Sequence, residues 1–200
     1  MAISKTSDHE TVSIYPFTDE EVDQMCTHSS ECVLMWTTKD GWPVGVTHAF
    51  VWHDNKIWLT FTVQRHRAKA IKRDGRVSVN ISSCGYPAGA SADLPTGAIT
   101  FKGTAEFHED EETRDWFYHQ LAAKVGQGNQ EATDAFYGLL QSPLRTLISV
   151  TPVKKIMYNS GLAARHWGEG VDESELGAPL ESDTVRLARE REERDLPAKN

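Results

Sequence analysis

"PVGVTHAFVWHDNKIWLTFTV", residues 43 to 63, is the stretch that decides the fold. Ile57, Leu59, Phe61 and Val63 share one face of an extended chain, and Trp58, Thr60 and Thr62 share the other, a period of two. Upstream, His48, Phe50 and Trp52 alternate with Thr47, Ala49, Val51 and His53 in the same way. The turn "HDNK" separates the two runs. Before them, "CVLMWTT" is joined to "PVGVTHAFVW" through Lys39-Asp40-Gly41-Trp42, and Asp-Gly between apolar runs is a strong hairpin signal. Three strands in succession are therefore expected.

The pattern continues outward. "TDEEVDQMC" predicts a short helix with Thr18 as N-cap and Glu21 three residues on, a capping box. "RVSVNISS" predicts a strand with Val77, Val79 and Ile81 on one face, "CGYPAGASADLPTGA" a loop, and "AITFKGTAEF" another strand. "EDEETRDWFYHQLAAKV" reads as a helix with acids in its first turn and Phe117, Leu121 and Val125 in line. "NQEATDAFYGLL" reads as a further helix, and "RTLISVTPVKKIMY" as a final strand pair interrupted at Pro152. Many antiparallel strands, tight turns and no βαβ alternation predict a mainly β fold, a barrel rather than a Rossmann sheet. After residue 170 the composition shifts. Residues 1–170 are expected to form one domain, and 171–200 a charged C-terminal helix or flexible tail.

Composition bounds the function. Two hundred residues with 39% hydrophobic and 25% charged content suit a globular domain, large enough to fold without disulfide staples. With 29 acidic against 21 basic residues, the net charge of −8 argues against nucleic-acid or anionic-membrane partners. No apolar run approaches the roughly 20 residues of a membrane helix, and the first residues lack a leader's apolar core. Three cysteines without CxxC spacing predict reduced thiols and a cytoplasmic setting. The eight histidines show no metal-ligand spacing, with His108, His119 and His166 expected at the surface, and no Ser/His/Asp arrangement or other catalytic set stands out.

One local feature runs against the acidic background. Arg65, Arg67, Lys69, Lys72, Arg73 and Arg76 crowd into "QRHRAKAIKRDGR". A helix beginning near Arg65 presents free N–H groups at its start, where cations are disfavoured and an anion is welcome. Lys72 and Arg73 fall in its last turn, where they complement the dipole, and Arg76 most simply pairs with a carboxylate. Arg65 and Arg67 are the candidates for a bound phosphate, against the alternative of a surface-charged turn, and Lys69, on the same helical face as Arg65, fits either. Thr60 and Thr62 point together towards that end of the strand.

The segment "TTKDGWPVGVTHAFVWHDNKIWLTFTVQRHRAKAIKRDGRVSVNI" resembles the flavin-binding split β-barrels, the pyridoxamine-5'-phosphate-oxidase-like superfamily, and its flavin/deazaflavin oxidoreductase branch in particular. Thr37, Thr38, Asp40, Gly41, Pro43, Trp52, Ile57 to Thr60, Arg65 to Arg67, and Arg73, Asp74, Arg76 and Val77 carry the likeness, with "LISVTPVKKIMYNSG" as the closing strand. The resemblance implies a six-stranded antiparallel Greek-key split barrel with peripheral helices, assembled as a homodimer with a cofactor at the interface. It implies an FMN-dependent oxidoreductase acting on a small-molecule substrate. The alternatives are a coenzyme F420 (deazaflavin) reductase and a non-catalytic flavin or haem binder. Arg65, Arg67 and Lys69 would clamp the phosphate, Thr60 and Thr62 would lie beside it, and Thr47, His48 and Ala49 would face the ring. A deazaflavin tail would call for a longer basic groove through Lys72, Arg73 and Lys102. Gly75 stands where the family has proline, and the substrate-phosphate cluster of a genuine pyridoxamine-phosphate oxidase is not evident.

Overall fold

Both hairpins form at the expected turns in the computed structural model, which describes residues 11–197. Residues 1–10, where the absence of a leader was read, and 198–200 of the tail lie outside the described residues. Strand β1 (Glu31–Thr37) pairs antiparallel with β2 (Pro43–Ala49) in a register from Glu31↔Ala49 to Thr37↔Pro43. Thr38 ties their turn: its hydroxyl donates to the Asp40 carboxylate at 2.6 Å and accepts from the Trp42 N–H at 2.9 Å. Gly41, at φ +88°, takes the left-handed step that a side chain would resist. The next turn has Asp54 and Asn55 both left-handed, at φ 51° and 55°, the conformation whose twist suits a two-residue hairpin. It joins β3 (Val51–His53) to β4 (Lys56–Thr62).

β2 and β3 are two halves of one strand bent at Phe50. The sheet order β2-β1-β5-β6-β7-β4-β3 places those halves at its two ends, so the bend closes the sheet on itself. Counting the bent strand once gives a six-stranded antiparallel barrel. Helix α2 (His66–Arg73) carries the chain across from β4 to β5 (Arg76–Ser82), which pairs with β1 and with β6 (Gly97–His108). β7 (Arg145–Asn159) pairs with β6 along its length and with β4 through Arg145 to Val150. Because β2 pairs only with β1, and β4 only with β3 and β7, the wall is split between β2 and the Thr62 end of β4.

Alternation fills the barrel. Leu34, Phe50, Ile57, Leu59, Phe61, Val79, Ile81, Ile99, Phe101, Ile148 and Val150 form its dry interior. β4 is buried on both faces because α3 (Glu111–Gly126) and α4 (Gln130–Leu140) cover its outer side, packing Phe117, Leu121 and Leu140 on Trp58 and Leu147. Helix α1 (Asp19–His28) has the expected capping box, both Thr18–Glu21 bonds being made. Asn159 caps α5 (Ser160–Gly168) through the Leu162 N–H at 2.9 Å. Tyr15, Leu162 and Ala163 gather Val171 and Leu176 into a third cluster. Beyond it α6 (Glu181–Glu193) buries no residue.

Three expectations are corrected. "RTLISVTPVKKIMY" is one continuous strand, because a register shift opposite Lys102/Gly103 accommodates Pro152, which has no N–H to give the ladder. Val125 is turned outward at 39% exposure, and the buried face of α3 runs instead through Phe117, Tyr118, Leu121, Ala122 and Gly126. Trp42 is 68% exposed on the first hairpin. His108 is not a surface group: its imidazole bonds the buried Ser149 hydroxyl at 2.8 Å and lies 4.8 Å from the Trp58 ring.

Candidate functional site

The six cations after β4 separate in the structure by what they touch. Arg76 pairs with Asp74 at 2.6 Å and holds that carboxyl down to about 2. Arg73 donates to the Thr37 carbonyl at 2.8 Å, and the Lys72 ammonium lies 5.2 Å from the Phe107 ring centre. These three serve the fold, as their positions at the end of α2 and the start of β5 suggested. Arg65, Arg67 and Lys69 have no hydrogen-bonded or ion-paired acid among the described residues. Arg65 is the N-cap residue of α2, in extended geometry, and its side chain makes no capping bond. The Ala68 amide donates to the Arg65 carbonyl at 3.0 Å, so the His66 and Arg67 amides are those left for another acceptor.

Arg67 is turned into the split. Its guanidinium lies 5.4 Å from the Phe61 ring centre and 5.9 Å from that of Trp36, and its Nε is buried without an acceptor. Burial and the neighbouring Arg65 charge together lower its pKa. His48 stands beside it, edge-on to Phe61 with ring centres 6.1 Å apart. The His48 Nε2 is likewise buried and unpartnered. Burial first, and the Arg67 charge second, lower its pKa to about 4, so the imidazole is neutral at physiological pH. Two buried polar groups without partners, side by side at an opening, form an incomplete constellation.

The remaining candidate residues occupy the outer side of the split. Thr47 is exposed on β2, and Ala49 is partly buried under α3 and α4. Thr62 is half-buried, and its carbonyl accepts from the Arg65 N–H at 3.0 Å, which ties the end of β4 to the start of α2. Thr60 is placed differently: it is 7% exposed beneath the helical layer, and its hydroxyl already donates to the Thr146 carbonyl at 2.9 Å. The structure thus brings His48, Arg65 and Arg67 together, sets Thr47 and Thr62 on the flanks, and puts Thr60 into the wall.

Sequence reasoning missed Arg145. It is the Cα partner of Thr62 across the β4–β7 ladder, and its Nε is buried without an acceptor. It reads locally as the first residue of a strand, and only the long-range register places it beside the basic cluster. The ring pair Trp36 and Phe61 was equally hidden, because each reads as an ordinary core aromatic. Among the described residues no group of three or more His, Cys, Asp or Glu is placed to hold a metal ion.

This barrel recurs in solved structures of low sequence identity. A conserved hypothetical protein from Mycobacterium tuberculosis superimposes with a TM-score of 0.60 at 18% identity, over 74% of this chain and 88% of the other. An FAD-binding protein from Mesorhizobium loti gives a TM-score of 0.50 at 15% identity, over 70% and 92%. The haem storage protein of Vibrio cholerae gives 0.50 at 18% identity, over 70% and 94%. No curated protein sequence matches the chain. The sequence profile described as pyridoxamine 5'-phosphate oxidase matches residues 18–154, from the cap of α1 into β7 and across the whole basic cluster. On that match, and with the split barrel that those residues build, the chain belongs to the pyridoxamine 5'-phosphate oxidase family.

Proposed function

We propose that the protein is an FMN-dependent oxidoreductase that holds the flavin at the split, between two copies of the chain, and exchanges hydride with a small organic substrate. The observation that carries this reading is the set Arg65, Arg67 and Lys69, without acidic partners, at the N-terminus of α2. These residues fit a phosphomonoester. Arg65 and the His66 and Arg67 amides would meet it from the helix side. Arg67, whose Nε lacks an acceptor, would meet it with a planar pair of donors. Each charge-assisted contact is worth about 1.5–3 kcal/mol. Lys69 and the Thr62 hydroxyl would complete the clamp, with Thr60 shaping the wall behind them. Thr47, His48 and Ala49 would line the ring's side, and the neutral His48 adds no charge there. Trp36 and Phe61 close the floor of the split to water. When bound, the flavin supplies the two-electron chemistry, and no side chain of this chain is assigned as acid or base.

FMN is favoured over coenzyme F420 because Lys72 and Arg73, two of the three cations that would extend the groove for an acidic tail, are engaged by Phe107 and Thr37. A second copy is supported by large apolar side chains left open on the barrel surface, Val153 at 73% and Ile156 at 50%. No helix among the described residues is long and apolar enough to cross a membrane. The thiols of Cys26, Cys32 and Cys84 are free, which suits the reducing cytoplasm.

The test is the absorption spectrum of the purified protein, with mass spectrometry of the released ligand, repeated on an Arg65→Ala/Arg67→Ala variant. The expected result is a yellow protein releasing FMN, with FMN affinity falling at least 100-fold in the variant and the fold unchanged by circular dichroism. Wild-type affinity in the variant would overturn the clamp. A Soret band, or a bound flavin that no reductant or acceptor turns over, would replace the oxidoreductase with a haem or flavin carrier.

A further inference from the structure

The end of β4 separates two kinds of cation. Phe61, beneath the Arg67 guanidinium, faces the barrel interior. Thr62, one residue on, faces the other way, and its Cα partner across the ladder is Arg145, the first residue of β7. Directly paired residues of an antiparallel ladder project to the same side. Arg145 therefore stands on the face that α3 and α4 cover, with Thr62 between it and Arg67. Further along β7, Leu147 pairs with His108 at the end of β6, just before α3 begins. Arg114 lies near the start of that helix, in line with the buried Tyr118 and Leu121 on the side that faces the sheet. Register and helical spacing thus bring Arg114 and Arg145 to one corner, at the Thr62 end of β4.

Both arginines carry the same defect. The Nε of each is buried without an acceptor among the described residues, and neither side chain makes an ion pair there. The acids of the corner are occupied. Asp110 caps α3 by accepting from the Thr113 N–H at 2.8 Å, and Asp115 accepts from the Tyr137 hydroxyl at 2.6 Å. The corner is reachable from water: both arginines are only half-buried, and Val63 and Leu144 beside Arg145 are 43% and 52% exposed. A buried N–H donor is costly to leave without an acceptor. The Nε edge of a guanidinium, with the Nη beside it, presents two parallel N–H groups that match the two oxygens of a carboxylate. The phosphate held by Arg65, Arg67 and Lys69 is out of line for that edge, since Arg67 looks into the barrel and Arg145 out of it.

We propose that Arg145, supported by Arg114, is a second anion site at the split and takes the carboxylate of the organic substrate, which is a small organic acid. Its place in a reaction rests on the flavin reading, whereas its binding of a carboxylate does not. Arg145 makes the two-point contact that fixes the plane of the acid, and Arg114 adds a second positive charge at the corner. A neutral analogue of the same shape leaves the buried Nε groups unpaired, which is the source of the selectivity.

Benzoate and benzamide, alike in shape and different in charge, are the probes, titrated by calorimetry into the purified protein with and without added FMN. Benzoate is expected to bind about tenfold more tightly than benzamide. Arg145→Gln is expected to erase that preference and Arg114→Gln to reduce it about threefold, with FMN affinity in both variants close to that of the wild type. Equal binding of the two probes overturns the proposal, as does a benzoate preference that survives Arg145→Gln in protein of unchanged circular dichroism. A loss of FMN affinity in Arg145→Gln as large as that in Arg65→Ala/Arg67→Ala also overturns it, by making Arg145 part of the phosphate clamp. Failure of the flavin reading would register separately, as a wild type that takes up no FMN, and the titration of benzoate without FMN still decides the anion site.

Discussion

His48 shows how one side chain links the split to the stability of the chain. The unfolded chain takes up a proton on this imidazole near pH 6.5, whereas the folded chain resists until about 4, since burial and Arg67 both oppose the charge. Its contribution is therefore complete above pH 6.5 and is lost as the pH falls from 6.5 through 4, by about 2–3 kcal/mol in all. A His48→Gln variant should lose correspondingly less stability over that interval, measured by urea unfolding at pH 7 and pH 4.5. Equal acid losses in the two proteins would mean that another group carries the effect. Neither the depth of His48 nor its neighbours could be read locally. The alternation placed it opposite Thr47 and Ala49, but which of those faces is inner follows from the bend at Phe50. The cations were more legible. A helix dipole acts over one turn, so sequence position alone separated Lys72 and Arg73 from Arg65 and Arg67.

At the scale of elements, local chemistry proved sufficient wherever it is self-contained. The capping box of α1, the Asp-Gly turn, the Asp54-Asn55 turn and the pairing of Arg76 with Asp74 each depend on residues within a few positions. What escaped were features set by a partner strand. Pro152 looks like a break in β7, yet the strand continues because β6 yields register at Lys102/Gly103. Gly103 makes that accommodation possible: a Cβ there would meet Val150 Cγ1 at 2.6 Å and the Thr151 carbonyl oxygen at 2.7 Å. Gly103→Ala should destabilise the protein by about 1–3 kcal/mol through overpacking, visible as a lower midpoint in urea with the slope unchanged. A midpoint within error of wild type would mean that β7 can shift freely at the bulge. Arg145 escaped for the same reason as Pro152, since its place beside Thr62 is a register and not a pattern.

For the molecule as a whole, the proposed dimer is the assembly that the open surface favours. Val153 and Ile156, 73% and 50% exposed on β7, are the apolar side chains on which that reading is tested. A Val153→Asp/Ile156→Asp variant should elute at the mass of a single chain and bind FMN more weakly, while its circular dichroism stays that of the wild type. Elution at twice the chain mass would place any interface elsewhere. The closed wall also dictates an order of assembly. β4 finds its long partner only in β7, and the bond from Thr60 to the Thr146 carbonyl spans 86 positions. A ribosome that has delivered the first two hairpins, α2 and β5 has delivered most of the barrel staves but not the one that locks them. Until the last third of the chain emerges, β4 presents an unpaired apolar edge to the cell. Closure is thus a late event with a large loop to gather, and the nascent protein spends its synthesis as an open, sticky sheet that other polypeptides must be kept away from.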